Sequence, residues 1–247
     1  MRALARRLAT LPFRLLPSPL RRHVVRAALR AAAAGTASSG LRELLAIDAD
    51  LQGIVDDTAM RYEGGIHPKH RLTAYHDFFV ERVQAGDRVL DVGCGYGAVA
   101  HSVAARTAAV VVGIDIDPAH IAVARQRYQH PRLTFVVGDV TRDVGDARFD
   151  VIIASNLIEH LDDRLSFYRR LQALVRPRRW LVRVPMVDRA WQVPLRRELG
   201  LPYFSDVNHF TEYTRPSFEA EVHAAGYAVT HLQVNWGEIW AELGVHE

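Results

Sequence analysis

The sequence predicts an α/β fold, a doubly wound and mostly parallel Rossmann-like sheet preceded by an N-terminal helical extension. From Asp87 onward, short apolar segments alternate with segments of helical period, which is typical of a parallel sheet covered on both faces. A glycine-rich corner, residues 93–97, joins the first strand of this pattern to its first helix. A chain of 247 residues is long enough for one such domain with an extension.

The N-terminal segment differs in charge from the rest of the chain. Of the 31 basic residues, nine arginines lie in residues 1–42, which contain no acid, leaving 22 basic against 28 acidic residues beyond them. Leucines at positions 4, 8, 11 and 15 have helical spacing up to the break at Pro17. This pattern predicts a short amphipathic segment for an anionic membrane surface or nucleic acid, although arginine bias in the genome explains it equally well. A mitochondrial transit peptide stays open as a minor alternative.

The remaining N-terminal elements are predicted to be helices, at residues 20–34, 41–60 and 68–83, with a flexible linker at 35–40. We therefore expect three parts: a basic leader and linker (1–40), a helical cap (41–85) and a ligand-binding catalytic domain (86–247). No apolar run is long enough to predict a transmembrane helix. The single cysteine, Cys94, excludes an intramolecular disulfide and is consistent with a reducing cytoplasm.

The elements of the third part follow in order from apolar runs and period. Strands are predicted at 88–92, 109–114, 133–137, 149–154, 180–185 and 227–234. Helices are predicted at 97–106, 118–128, 161–175 and 217–225. The tryptophans at 236 and 240 either line a pocket or pack along a helix, because residues four apart share a helix face.

The glycine corner could bind a dinucleotide or another nucleoside. Gly93, Gly95 and Ala98 satisfy G-x-G-x-x-A, and Asp115 follows Gly95 by twenty residues, as a ribose-binding carboxylate does in dinucleotide sites. Asp91 argues against a pyrophosphate, because its negative charge precedes the corner by two residues. The same charge favours a nucleoside that carries a cationic amino-acid tail.

With these features, residues 70–235 resemble the class I S-adenosylmethionine-dependent methyltransferases. The similar segments are VLDVGCGYG, VVVGIDID, VVGDV and FDVIIASNLIEHL, followed by LQALVRPRRWLVRVP, in which Pro-Arg-Arg replaces the family's Pro-Gly-Gly. The resemblance implies S-adenosylmethionine as the cofactor. It also implies a set of cofactor-binding residues: Asp91, Gly93, Gly95, Gly97, Asp115, Ile116, Asp139, Val140 and Asn156. For Asp115 and Asp139, a helix N-cap or turn role is the alternative.

Candidate catalytic groups follow the fourth and fifth predicted strands. A hydroxyl acceptor must lose a proton, so a base is expected, and we choose His209 first and His160 second, with Glu159 beside them. SNLIEH with a distant histidine is also similar to the E-x-x-E-H of metal-dependent O-methyltransferases of ubiquinone biosynthesis and of small-RNA ends. There a divalent cation is bound; here Asn156 replaces the first glutamate, and Glu159 with an Asn156 oxygen could still hold one. We assign no metal ligand on this ground alone.

The expected function is O-methylation of a sugar, glycolipid or similar small hydroxylated acceptor. RVPMVDRAW, LRRELGLPYF and HFTEYT resemble methyltransferases encoded among bacterial polysaccharide enzymes. Tyr62, His67, His70 and Tyr75 belong to the cap, which could close over the acceptor. Its histidines could equally be surface residues. The expected location is the cytoplasm, with peripheral contact at the inner membrane through the basic leader. The alternatives are a nucleic-acid methyltransferase, a non-catalytic cofactor-binding homologue and, disfavoured by Asp91, a nicotinamide enzyme.

Overall fold

A computed structural model describes residues 13–144 and 148–245. The chain divides into two compact units, Met1–Gly65 with Arg196–Leu201 and Ile66–Leu195 with Pro202–Glu247. Most of the predicted leader helix lies outside the described residues. Over the described ranges, no helix is both long and apolar enough to cross a membrane.

The first unit is built on two helices, α1 (Ser18–Ala32) and α2 (Ala37–Tyr62). The prediction of a flexible linker at residues 35–40 is wrong. The Thr36 hydroxyl accepts a hydrogen bond from the Ser39 N–H and so caps α2, which begins at the next residue. Gly40 lies within α2, where a Cβ would come 2.5 Å from the Ala33 carbonyl oxygen.

The second unit contains a seven-stranded sheet in the order β3-β2-β1-β4-β5-β7-β6, which confirms the predicted fold class. The strands are β1 (Arg88–Val92), β2 (Val110–Asp115), β3 (Leu133–Val137), β4 (Val151–Ser155), β5 (Arg179–Pro185), β6 (Tyr227–Asn235) and β7 (Glu238–Val245). The first five are parallel, whereas β7 pairs antiparallel with β5 and β6 antiparallel with β7. The strand order reverses between β1 and β4, where ligands of open parallel sheets bind.

Helices of the second unit connect these strands. They are α3 (Lys69–Leu72), α4 (Tyr75–Val80), α5 (Ala98–Arg106), α6 (Pro118–Arg127), α7 (Val140–Asp143), α8 (Arg164–Val175) and α10 (Arg215–Ala224), with a 3-10 turn at Ile158–His160. Helix α9 (Gln192–Glu198) runs from the second unit into the segment assigned to the first. Because alternate strand residues face opposite sides, Ile152 and Ala154 of β4 join one buried cluster and Val151 and Ile153 the other.

One prediction of local structure is wrong, and one of two alternatives is excluded. The single helix at 68–83 is interrupted at Ala74, whose φ of 51° is left-handed, so α3 and α4 are separate. The chain after β6 is not helical. Trp236 and Gly237, both at positive φ, form a tight turn into β7, which explains the two-residue connection of this hairpin.

Arg178 and Arg179 stand where the family has the two glycines of Pro-Gly-Gly, at the start of β5, and they have a structural role. Arg178 and Arg179 each donate to Asp87, at 2.9 and 2.8 Å, and the Asp87 side chain is only 3% exposed. Asp87 also accepts from the Gln84 N–H. The two arginines therefore balance a buried carboxylate at the start of the sheet.

Candidate active site

The glycine corner after β1 can be built only with glycine at two positions. Gly93 and Gly97 have φ of 65° and 80°, in the left-handed region. A Cβ on Gly93 would lie 2.7 Å from Leu157 Cδ1, and one on Gly97 would lie 2.4 Å from Phe135 Cζ. The corner is therefore closely packed at Gly93 and Gly97, where no side chain extends from the backbone.

Asp115 ties this corner to the end of β2. Its Oδ2 accepts from the Gly95 N–H at 2.8 Å and its Oδ1 from the Asp117 N–H at 2.9 Å. His120 Nδ1 lies 3.4 Å from the same Oδ1. These contacts fix the orientation of the carboxylate toward the cavity beside it.

A cavity of about 360 Å³ opens beside the corner. Its lining comes from α7, from α8 and from the segments at the ends of β1, β2, β3 and β4: Gly93, Ile114, Asp115, Ile116, Gly138, Asp139, Val140, Thr141, Leu157, Leu161 and Phe167. Five predicted cofactor residues are among them, whereas Asp91, Gly95, Gly97 and Asn156 are not. The volume and mostly apolar walls suit a nucleoside.

The apolar wall is the part of this cavity that sequence reasoning missed. Leu157, Leu161 and Phe167 follow β4, and the first two lie within the segment FDVIIASNLIEHL, where only the polar residues drew attention. A second signal was their position after a strand at the point where the strand order reverses.

Asp139 is the N-cap of α7, as its structural alternative predicted. Its Oδ1 accepts from the Thr141 N–H and hydroxyl at 2.9 and 2.8 Å, and its Oδ2 pairs with Arg142 at 2.9 Å. Hydrogen bonds from the Thr141 side chain and backbone, together with Arg142, lower the pKa of Asp139 even though desolvation opposes them. The residue still lines the cavity, beside Val140.

Asp91 is a buried carboxylate with an unused acceptor. Its side chain lies in the interior, and Oδ2 has no hydrogen-bond partner. Burial raises the pKa of Asp91 from 3.8 to about 7; the Ala100 N–H opposes this and the charge of Asp115 adds to it.

Asp91→Asn should stabilise the free protein at alkaline pH and weaken S-adenosylhomocysteine binding. Because the folded pKa exceeds the unfolded one, the carboxylate costs stability as the pH rises from about 4 to 7, and the full cost is present above pH 7. The melting temperature of the variant should exceed that of the wild type at pH 8 and match it near pH 4. We expect binding to weaken at least about 10-fold, because the family resemblance implies that the Asp91 carboxylate holds the amino-acid end of the cofactor by a charged hydrogen bond. Thermal melts at both pH values, with calorimetry, check this; an equal loss of stability at both would contradict it.

A second cluster lies after β4 and combines Glu159, His160 and His209. One ligand atom from each residue lies within 4.8 Å of the other two. The imidazole rings of His160 and His209 meet edge to face, with centroids 4.5 Å apart. Residue 209 reaches this place because the Phe210 N–H donates to the Glu159 carbonyl oxygen at 2.8 Å.

Glu159 is the unusual member of this cluster. It is fully buried, and neither carboxylate oxygen has a hydrogen-bond partner. Burial raises the pKa of Glu159 to about 7, although its own backbone N–H and the charges of His209 and Arg183 oppose the shift. A buried carboxylate without partners is costly unless a cation or hydrogen-bond donor completes it.

His209 is held in one orientation by Glu212. Its Nδ1 lies 3.0 Å from Glu212 Oε1, which also accepts from the Ser205 hydroxyl at 2.7 Å, while Oε2 accepts from Arg189. Burial opposes ionisation of Glu212, but hydrogen bonds from His209 and Ser205 keep its pKa below the usual value. With Nδ1 engaged, Nε2 of His209 is left for the cluster.

Asn156 begins the segment that connects the cavity to the cluster. Its φ is 54°, its N–H donates to the Arg183 carbonyl oxygen at 2.8 Å, and its side-chain oxygen is buried without a partner. Leu157 and Leu161 line the cavity on either side of Glu159 in sequence. The segment therefore presents one set of side chains to the cavity and another to the cluster.

Arg183 is a buried cation near this segment. It donates twice to Glu238, at 2.6 and 2.7 Å, and to Ser155 Oγ at 3.1 Å, and its guanidinium lies 3.9 Å from the Tyr75 ring centroid. The Tyr75 hydroxyl lies 2.9 Å from His70 Nδ1. Tyr75 is therefore a core residue, 3% exposed.

The two tryptophans that could line an acceptor pocket or pack along a helix lie in the final hairpin. Trp240 is buried beside Phe78, with ring centroids 5.9 Å apart, and donates to Glu238 Oε2. Trp236 is 72% exposed at the hairpin turn. The alternation of a β-strand puts Trp240 on a core-facing side, which the helical spacing of the two residues concealed.

Comparison with known proteins gives concordant matches. Residues 65–232 match a family profile described as a methyltransferase domain. The ubiquinone biosynthesis O-methyltransferase of Vibrio vulnificus strain YJ016 is 32% identical over 132 residues, which cover 49% of this chain and 56% of that protein. Its counterpart in Azorhizobium caulinodans is 29% identical over 190 residues, covering 73% and 70%. The chain thus spans about half the length of the Vibrio relative that it matches.

Solved structures share the fold at low identity. Magnesium protoporphyrin IX methyltransferase from Synechocystis PCC 6803 with bound SAH has a TM-score of 0.56 and 16% identity, over 72% of this chain and 83% of that one. The small RNA methyltransferase HEN1 has a TM-score of 0.58 and 20% identity, over 72% and 25%. The Synechocystis enzyme was also determined with bound SAM.

Proposed function

Because the chain belongs to the class I S-adenosylmethionine-dependent methyltransferases, we propose that it methylates a hydroxyl group of a small acceptor at the Glu159–His160–His209 cluster. The cofactor supplies a methyl group bonded to a positively charged sulfur. We assign its ribose hydroxyls to Asp115, its amino-acid end to Asp91 and the backbone of residues 93–97, and its adenine to the cavity lined by Ile116, Asp139 and Val140. Asn156 would lie beside it. Catalysis would reside in residues 86–247, with 1–40 as leader and 41–85 as cap.

The buried Glu159 carboxylate is the observation that carries this proposal. Its two oxygens lack partners and lie with two imidazoles, a donor set that divalent cations accept. Glu212 engages Nδ1 of His209, which leaves Nε2 available as a ligand atom. A cation held by Glu159, His160 and His209 would supply the positive charge that lets an acceptor hydroxyl lose its proton. The buried Asn156 oxygen would be a fourth ligand atom.

A general base is the second candidate for the same cluster, and the His209–Glu212 pair favours it. In this case Nε2 of His209 accepts the hydroxyl proton as the O–CH3 bond forms and the S–CH3 bond breaks. The ionised Glu212 would stabilise the resulting imidazolium. This methyl transfer is balanced without an oxidant, a reductant or a further co-reactant.

Metal removal distinguishes the two candidates. With methyl-13C-labelled S-adenosylmethionine and a panel of sugar and catechol hydroxyls, we expect an O-methyl product whose formation stops after EDTA treatment and returns with Mg²⁺ or Mn²⁺. Product NMR reports the atom methylated. Full activity in EDTA would leave the base as the mechanism, and an N-methyl or S-methyl product would contradict hydroxyl methylation itself.

The O-methyltransferase names of the matched relatives support a hydroxyl acceptor. Within that class we propose a sugar or glycolipid, and the support for this choice is the resemblance of three sequence segments to methyltransferases encoded among polysaccharide enzymes. A lipid-linked acceptor would be met at a membrane, so we propose a cytoplasmic enzyme with peripheral contact at the inner surface. A nucleic-acid acceptor is disfavoured by the excess of acidic residues beyond residue 42.

A further inference from the structure

Helix α1, Ser18–Ala32, carries a basic side and an apolar side and buries none of its residues. Arg22, Arg26 and Arg30 recur every four residues, so they lie along one side of the helix. Leu20 and Val24 share another side and are 46% and 42% exposed. Neither side is covered by the rest of the described first unit.

The three arginines lack partners of opposite charge. Within residues 13–144 and 148–245, none of them makes a side-chain hydrogen bond or ion pair. Like charges four residues apart destabilise a helix, so this line of charge is unfavourable in isolation. The arrangement is stabilised when an anionic surface lies against it.

We propose that α1 lies in the interface of an anionic lipid bilayer. Leu20 and Val24 would enter the boundary between headgroups and acyl chains, and Arg22, Arg26 and Arg30 would extend to lipid phosphates. The sequence adds further arginines and no acid before residue 43, so no negative charge in this segment opposes the contact.

The exposed aliphatic side chains favour a lipid surface over nucleic acid. Arginines alone suit either phosphate-bearing partner, but Leu20 and Val24 have no favourable place on a nucleic-acid backbone. A second copy of the chain is the remaining occupant, since α2 exposes Leu51 and Ile54 among acidic residues. Both are outcomes of the test.

This inference rests on the proposed function in one respect only: membrane binding would bring the enzyme to an acceptor that is linked to lipid. Vesicle binding is measured without cofactor or acceptor, so its failure would leave methyl transfer untouched. Conversely, an enzyme without hydroxyl-methylating activity could still bind lipid through α1.

Vesicle flotation of the full chain tests the proposal. Two kinds of vesicle are compared, phosphatidylcholine alone and phosphatidylcholine with about one-third phosphatidylglycerol. We expect binding to the anionic vesicles only. Arg22→Glu/Arg26→Glu should weaken it at least about 25-fold, since each arginine near the surface contributes roughly a fivefold factor. Leu20→Ser/Val24→Ser should also weaken it, which phosphate pairing alone does not explain. Arg148→Glu/Arg215→Glu, the same change in charge on exposed arginines of the second unit, should bind within about twofold of wild type.

Unchanged melting temperatures would show that the exposed α1 substitutions leave the fold intact. Three results overturn the proposal: no vesicle binding by wild type, an equal loss in the control pair, or unaltered binding by Leu20→Ser/Val24→Ser. If wild type and Leu20→Ser/Val24→Ser both co-sediment with an oligonucleotide but Arg22→Glu/Arg26→Glu does not, α1 binds nucleic acid instead. A dimer that either α1 variant dissociates, without vesicle binding, would assign it to a second copy.

Discussion

Replacing Glu159 with glutamine should lower kcat/KM for methyl transfer at least about 100-fold while leaving S-adenosylhomocysteine affinity within about twofold of wild type. Glutamine keeps the shape of the side chain but cannot offer a carboxylate to a cation or to a developing imidazolium. The loss falls on the acceptor step because Glu159 lies in the second cluster, while the cofactor cavity is lined by its neighbours Leu157 and Leu161. Steady-state kinetics and calorimetry on the same preparations measure both quantities.

The matched control for this variant is Asp162→Asn. It removes the same charge three residues away, from an exposed side chain outside the cluster, and should leave kcat/KM within about twofold. Glu159→Gln should not melt below wild type, because it removes a buried carboxylate that lacks hydrogen-bond partners. If Glu159→Gln keeps its activity, or loses cofactor binding instead, the acceptor site does not lie at Glu159.

Asp115→Asn should weaken S-adenosylhomocysteine binding at least about 30-fold. The charged acceptor proposed for the ribose hydroxyls is lost, and each such hydrogen bond contributes about 1.5–3 kcal/mol. The amide also places an N–H₂ group against either the Gly95 or the Asp117 backbone N–H, both of which now donate to the carboxylate. Both effects act on the corner, so calorimetry should detect them directly.

Asp117→Asn provides the comparison for Asp115. It makes the same change of charge two residues along, at the exposed N-cap of α6, where asparagine caps nearly as well as aspartate. We expect its affinity to stay within about twofold of wild type. Equal losses in both variants would mean that net charge near the corner, and not the Asp115 hydrogen bonds, controls binding.

Much of the sheet could be predicted because its strands are short, apolar and bounded by turn residues. Strands β1 and β3 match their predicted ranges, and the glycine corner and Asp115 lie together as the spacing required. The break at Ala74 could not be predicted, because alanine favours helix and the left-handed backbone there accompanies contacts such as Tyr75 with His70. The final hairpin was hidden by two tryptophans whose spacing suits a helix.

The candidate site divides in the same way. Glu159 and His160 were proposed from the sequence as part of SNLIEH, and His209 as a polar residue in a long connection and as the distant histidine of the same pattern. His209 lies beside Glu159 because of tertiary contacts, namely the backbone hydrogen bond from Phe210 and the Glu212 network. Apolar cavity walls such as Phe167 could not be separated from core residues, because both are hydrophobic and only the fold distinguishes them.

The most direct measurement is a crystal structure of the full chain with S-adenosylhomocysteine and Mn²⁺, using the anomalous signal to locate the metal. We predict a single strong anomalous peak bound by Glu159, His160 and His209, with the ribose on Asp115 and the cofactor sulfur facing the metal. A metal bound elsewhere, or a sulfur that faces away from Glu159, would contradict the assignment of this cluster as the acceptor site.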